Sequence, residues 1–146
     1  MQRQSRITTT AKVLLVLGGT ATVAMAGYHF FLPAIFGWAG ETTTLLPAIR
    51  WGVFSMNLFF SCLLLALGMT TLAGVLMHRT NEGTYLAVLL TGALFWLVNG
   101  CYQLLIPMPL PGSYALLGYF LRSFAFGVAA LYLIPLVSLI RKRNSV

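Results

Sequence analysis

The stretch YALLGYFLRSFAFGVAALYLIPLVSLI, from Tyr114 to Ile140, decides the fold class of this chain. It is long and apolar enough to cross the ~30 Å hydrocarbon core of a bilayer as a helix, and Arg122 is its one charged residue. At a helical rise of 1.5 Å per residue, Arg122 lies about 12 Å below the nearer end of this helix. Because a guanidinium keeps its proton, Arg122 must either extend to the interface or find polar partners within the protein.

The composition of the whole chain agrees with a membrane location. Hydrophobic residues make up 59% of its 146 residues and charged residues only 8%, whereas a soluble domain carries about a quarter charged residues. We therefore expect one integral membrane domain over residues 1–146. The excess of nine Lys and Arg over two acidic residues is spread over the chain ends and isolated loop positions. Without a clustered basic face, nucleic acid is not expected as a partner.

Three further apolar runs precede Tyr114. The predicted transmembrane helices span residues 13–32, 51–77, 85–106 and 114–140. Their connections are short, which makes neighbouring helices antiparallel. The predicted fold is therefore an all-α, up-down-up-down bundle of four transmembrane helices. The longest connection, residues 37–50, is expected to hold a short interfacial helix at Thr42–Ile49.

The basic residues predict the orientation of this bundle. They flank the first and the last helix, at Arg3, Arg6, Lys12, Arg141, Lys142 and Arg143. Under the positive-inside rule both termini are cytoplasmic, and so is the loop that contains Arg79. Residues 37–50 then face outward, and a bacterial cytoplasmic (inner) membrane is the expected location.

Polar residues occur at similar depth on several helices. Asn57 lies about 9 Å, Asn99 about 10 Å and Arg122 about 12 Å from the outer ends of their helices, with Gln103 and His29 nearer the surface. Since polar side chains in membrane helices turn towards other helices, we expect one polar cluster in the outer half of the bundle, formed by His29, Asn57, Asn99, Gln103 and Arg122. Within it, Arg122 is expected to bond the two asparagines or a bound acidic group, and to be the most sensitive position in the chain.

Glu41 is the only acidic residue on the predicted outer side. It is expected either to fold down onto Arg122 or to pair with Arg50 at the surface. Three roles stay open for the cluster: a structural lock, a site for a ligand, lipid headgroup or partner carboxylate, and a proton or ion path. The structural lock is the leading interpretation, and the intramembrane charge is what brings the last two roles into consideration.

The residues for metal, haem or hydrolytic chemistry are sparse. His29 and His78 are the only histidines, and they fall at opposite ends of the bundle, so they do not predict a haem held by two histidines. His29 alone remains available to a pigment or haem within a larger complex, and the sequence requires no cofactor or metal. We find no nucleophile–base–acid set, so no enzymatic activity is expected.

Cys62 and Cys101 both lie inside apolar runs. Their depths differ by roughly 9 Å, whereas the Cα atoms of a disulfide lie within about 7 Å. We expect two free thiols that act as small buried packing residues.

Two segments and the total length resemble the DoxX-like group of small bacterial four-helix membrane proteins. The segments are Gly27–Pro33 (GYHFFLP), which closes the first helix, and Arg50–Asn57 (RWGVFSMN), which begins the second. The resemblance covers the topology of most of the chain. It implies a four-helix fold and, as in some members of that group, a link to quinone or thiol redox systems. It assigns no site residues.

Three functions follow from these features. The first is a small accessory or assembly subunit of a larger membrane complex, with other membrane subunits or a second copy as its partners beside membrane lipid. The second is a DoxX-like redox helper, or a binder of a quinone or lipid headgroup. The third is a small transporter or channel subunit.

Overall fold

The computed structural model describes residues 8–77, 82–107, 112 and 115–144. The described part is all-helical, with four helices long and apolar enough to cross a membrane. In chain order, and including one short turn, the elements are α1 (Thr9–Ile35), α2 (Trp38–Glu41), α3 (Pro47–Leu76), α4 (Glu82–Leu105) and α5 (Ala115–Asn144). The predicted all-α membrane fold with four spanning helices is confirmed. Some residues used above lie outside the described residues: Arg3, Arg6, His78, Arg79 and Tyr114.

The segment between α1 and α3 differs from the prediction. Gly37 adopts φ 60°, a left-handed conformation that glycine reaches without steric cost, and α2 follows it directly. The predicted helix at Thr42–Ile49 is wrong, because Pro47 is instead the first residue of α3. Proline suits that position, since its missing N–H would have no partner within the helix.

The four long helices alternate in direction. Between neighbouring helices, residue numbers rise along one helix and fall along the other. The contacts between α1 and α3 are His29 with Asn57 and Gly19 with Gly68, and those between α4 and α5 are Gly100 with Phe126 and Gly92 with Tyr132. We call the end of the bundle that carries residues 36–46 the loop end, and the end that carries Thr9 and Asn144 the terminal end. At the terminal end, Arg143 pairs with Glu82, with 3.6 Å between Nε and Oε1.

The bundle consists of two helical hairpins. α1 packs most extensively on α3, and α4 on α5, whereas α1 and α5 join the two hairpins. α3 and α4 follow each other in the chain but share the smallest interface of the four long-helix pairs. A space between the hairpins is therefore available on the side where α3 faces α4.

Glycine sets the closest approach within the first hairpin. A Cβ added at Gly68 would lie 2.9 Å from the backbone nitrogen of Val23 and 3.0 Å from the carbonyl oxygen of Gly19. The first distance is shorter than real Cβ contacts, and the second is tighter than most of them. α1 and α3 therefore cross where two small residues face each other, as membrane helices commonly do.

The outside of the bundle is apolar. Large hydrophobic side chains such as Leu105 and Leu116 are more than four-fifths exposed, as expected for surfaces that face lipid. Cys62 and Cys101 are free, as expected, but both are exposed. The expectation that they are buried is wrong, because each lies on a face of its helix that no neighbouring helix covers.

Candidate functional site

His29 of α1 is held by Asn57 of α3 near the loop end. The Asn57 amide donates to the backbone carbonyl of His29 at 2.8 Å, and its Oδ1 lies 3.4 Å from His29 Nδ1. Asn57 Oδ1 accepts from the tautomer protonated at Nδ1, which leaves Nε2 free to accept a hydrogen bond or to ligate a pigment or haem. The imidazole also meets the ring of Phe60 edge to face, with centroids 4.7 Å apart. These contacts fix the orientation of the imidazole.

Asn99 and Gln103 form a second polar pair, on α4. They lie one helical turn apart, and Gln103 Nε2 donates to Asn99 Oδ1 at 2.6 Å. This bond leaves the amide N–H groups of Asn99 and the carbonyl oxygen of Gln103 without a partner among the described residues. The pair can therefore offer both donors and an acceptor to a third group.

The two pairs meet at a cavity of about 370 Å³ between the hairpins. His29, Asn99 and Gln103 line it directly, and Asn57 supports it through His29. The other lining residues are mostly aromatic or aliphatic and come from all four long helices: Met25, Tyr28, Leu32, Phe60, Leu64, Phe95, Trp96, Tyr102, Ile106, Pro107 and Leu121. Apolar and aromatic walls with a few polar groups are typical of small-molecule sites between helices.

Tyr28 carries an unsatisfied polar atom. Its hydroxyl is buried and has no hydrogen-bond partner among the described residues, while the residue itself is part of the cavity lining. Buried hydroxyls in folded proteins nearly always have a partner, because a missing one costs about 1–3 kcal/mol.

Arg122 does not join the predicted cluster. Its Nε donates to the carbonyl oxygen of Gly118 at 3.1 Å, and its guanidinium carbon lies 4.9 Å from the centroid of the Tyr119 ring. The expected hydrogen bonds to Asn99 and Asn57 are absent from the described part of the chain. The reason is geometric. Helical side chains lean towards the helix N-terminus, and one turn earlier Gly118 has no side chain to cover its carbonyl oxygen. Arg122 extends along its own helix towards the loop end.

Glu41 also lies apart from the cavity. It is exposed and forms neither of its two expected ion pairs within the described residues. Arg50 instead donates from Nη2 to the carbonyl oxygen of Ala39 in α2, at 3.2 Å. Among the sequence-predicted residues, the structure therefore brings together His29, Asn57, Asn99 and Gln103 and separates Arg122 and Glu41 from them.

A buried polar layer in the middle of the bundle was missed by the sequence analysis. Trp96 Nε1 donates to Thr22 Oγ1 at 3.1 Å, and the Tyr132 hydroxyl lies 3.3 Å from Thr22 Oγ1 and 3.1 Å from Thr71 Oγ1. Both threonine hydroxyls lie within bonding distance of a carbonyl oxygen one turn earlier. When both threonine protons go to these carbonyls, the single Tyr132 proton is donated to one of the two threonine oxygens at a time. The signal was the presence of hydroxyl and indole groups within apolar runs, where each needs a partner.

The cavity carries no formal charge on its lining side chains. None of them is acidic, lysine or arginine, and the described residues hold no group of three His, Cys, Asp or Glu that could bind a metal. The arrangement can hydrogen-bond a polar group and stack against a flat one. It suits an uncharged head better than an ionic one, since an unpaired ion there would lose its hydration without compensation.

In the part of the chain that the structure describes, the fold is that of an integral membrane protein with four long apolar helices and a cavity near the loop end. No protein-family model matches the chain, and no curated protein or solved structure is significantly similar to it. The DoxX-like resemblance stays a prediction.

Proposed function

We propose that the protein binds a membrane-soluble amphiphile with an uncharged, ring-shaped polar head, of which a quinone is the representative class. The observation that carries the proposal is the cavity between the hairpins, which aromatic rings line together with the hydrogen-bonding groups of His29, Asn99 and Gln103. A quinone ring presents carbonyl acceptors at its edge and a flat face for stacking, so it matches both kinds of lining.

The absence of charge on the lining distinguishes this ligand from an ionic lipid headgroup. A phosphate in the cavity would need cations or several backbone N–H groups, and the lining side chains provide no cation. In this proposal the protein binds and positions the ring without catalysing a reaction. The role corresponds to the redox helper implied by the DoxX-like resemblance.

The orientation is part of the same proposal. Lys12, Arg141, Lys142 and Arg143 belong to the terminal end, which supports a cytoplasmic location for that end under the positive-inside rule. The cavity would then open in the outer half of a bacterial inner membrane. A ring with an apolar tail can enter from the lipid between α3 and α4, where the hairpins have least contact.

Ligand binding can be measured on protein purified in mild detergent. Trp96 lines the cavity, so we expect a short-chain quinone to quench its fluorescence in a saturable manner when the other two tryptophans are replaced by phenylalanine. Asn99→Leu should weaken binding about tenfold, the effect of losing one to two hydrogen bonds. Ser138→Ala is the matched control, because Ser138 is exposed and lies near the terminal end, where it bonds only its own helix. Equal affinity in Asn99→Leu and Ser138→Ala would contradict the proposal.

An accessory subunit of a larger membrane complex is the second candidate function. The observation that favours it is the small interface between α3 and α4, which leaves apolar side chains such as Phe59 and Leu94 more than half exposed and open to a partner helix. Purification in mild detergent followed by mass spectrometry separates the two candidates. A stoichiometric heterologous subunit supports the accessory role, and a quinone retained by the isolated chain supports the binder.

A transporter or channel function has less support. The layer of Thr22, Thr71, Trp96 and Tyr132 crosses the middle of the bundle and is almost completely buried. A path through a single bundle would have to break these hydrogen bonds.

A further inference from the structure

Arg122 is a membrane-embedded cation with most of its donors unused. Nε is bonded to Gly118, while the two terminal nitrogens have no acceptor among the described residues. A guanidinium has five N–H donors in a planar fork, so four remain. The side chain is half-buried and does not line the cavity. The guanidinium is therefore available to an acceptor on the outside of the bundle.

The depth of Arg122 is matched to the headgroup region. Its Cα is seven residues after Ala115, the first residue of α5, which corresponds to about 10 Å along the helix axis. The bond to Gly118 shows that the side chain extends back towards that end. The guanidinium thus lies closer to the interface than its Cα does, at a level that lipid phosphates can approach.

The neighbouring residues hold the guanidinium in place without neutralising it. The Tyr119 ring lies 4.9 Å from the guanidinium carbon and provides a cation–π contact. The carbonyl oxygen of Gly118 accepts the hydrogen bond from Nε and fixes its position. Tyr119 and Leu116 are strongly exposed on the same helix, so lipid has access to this face. No described carboxylate forms an ion pair with Arg122: Glu41, at the same end of the bundle, is exposed and forms no ion pair within the described residues, and Glu82 pairs with Arg143 at the terminal end.

We propose that Arg122, held by Tyr119 and Gly118, is a binding site for the phosphate of an anionic phospholipid on the outside of α5, separate from the neutral cavity. The terminal N–H groups match two phosphate oxygens, and the apolar residues around them match the acyl chains. Charge complementarity selects this occupant: a lone cation exposed to lipid binds an anionic headgroup more strongly than a zwitterionic one, whose own ammonium competes.

The test compares dioleoylphosphatidylglycerol with dioleoylphosphatidylcholine, added to the full chain in detergent and counted on the protein by native mass spectrometry. We expect the unchanged protein to prefer phosphatidylglycerol, and Arg122→Gln to lose about tenfold of that preference, the size of one charge-assisted contact. Arg122→Lys should retain part of it, because it keeps the charge but loses the fork. Arg143→Gln is the matched control, since it removes the same charge at the opposite end of the bundle and should keep the preference.

Several outcomes would overturn the proposal. Full retention of the preference by Arg122→Gln would contradict the site, and an equal loss in Arg122→Gln and Arg143→Gln would show a bulk charge effect instead. Inorganic phosphate that protects the protein against heat as well as phosphatidylglycerol does would identify a free anion as the occupant. A protein subunit released specifically by Arg122→Gln would identify a partner carboxylate. If Arg122→Gln does not fold, Tyr119→Leu replaces it: loss of the ring beneath the guanidinium should reduce the preference, and an unchanged preference contradicts the site.

Discussion

The indole N–H of Trp96 donates to the hydroxyl of Thr22 at 3.1 Å, and this bond joins α4 to α1 in the middle of the bundle. It lies between the two hairpins, where α1 and α5 make most of the remaining contact. Through Tyr132 the same network continues to Thr71 on α3. All four long helices are thus linked at one level, below the cavity that separates the hairpins at the loop end.

The first prediction concerns the layer itself. Tyr132→Phe should destabilise the protein by only about 0.6 kcal/mol, the average for a hydrogen bond between membrane helices. The loss is small because Thr22 keeps its bond from Trp96 and both threonines keep their carbonyl partners. Gly92→Ala should cost more, about 1–3 kcal/mol, because a Cβ there would overlap the Tyr132 ring.

The measurement is unfolding in detergent for both single variants, for Tyr132→Leu alone and for a rescue variant. Combining Gly92→Ala with Tyr132→Leu replaces the ring with a side chain that can move aside, so the double variant should recover stability relative to the sum of the single changes. Strict additivity of the two changes would show that Gly92 and Tyr132 do not interact as the structure indicates.

The second prediction compares two glycines in long helices. Gly68→Ala should lower stability by about 1–3 kcal/mol, because the new Cβ would lie 2.9 Å from the Val23 nitrogen and force α1 away from α3. Gly127→Ala is the control: its Cβ would meet nothing within 4 Å, so stability should stay the same or rise through helix propensity. The two variants are compared by their thermal unfolding temperatures in detergent, and equal stabilities would rule out the close crossing of α1 and α3 at Gly68.

The third prediction uses the unpartnered hydroxyl of Tyr28. In the ligand-free protein, Tyr28→Phe should leave stability unchanged or raise it by up to ~1 kcal/mol, because it removes a buried group that has no hydrogen bond. The same variant should bind a short-chain quinone about tenfold more weakly if the hydroxyl bonds the ring. Unfolding and fluorescence titration provide the two readouts. A variant less stable than the parent and equal to it in binding would mean that the hydroxyl has a partner in the folded protein.

The fourth prediction concerns orientation. In a chain with Cys62→Ala and Cys101→Ala, a cysteine introduced at the exposed position Thr44 should react with a membrane-impermeant thiol reagent added to intact cells, and one introduced at Asn144 should react only after lysis. Both positions are exposed, so reactivity reports the side of the membrane. The opposite pattern would invert the bundle and place the cavity in the inner half of the membrane.

The sequence alone determined the fold class and the approximate extents of the spanning helices. Both depend on local properties: four long apolar runs can satisfy their backbone groups in lipid only as helices, and short connections make neighbours antiparallel. The depth estimate for the polar residues was equally local. It placed Gln103 near the level of His29 and Asn99 somewhat deeper, because height along a helix follows from residue number alone, and all three residues line one cavity in the structure.

Only the tertiary structure decided which polar groups meet. Height does not specify the angle around a helix axis or which helices are neighbours, so Arg122 and Asn99 share a level without sharing a contact. Arg122 bonds a carbonyl on its own helix, because Gly118 has no side chain to cover that oxygen. Asn57 reaches His29 because α1 packs on α3. The layer around Tyr132 likewise requires all four helices to be in place, and no spacing within a single run specifies it.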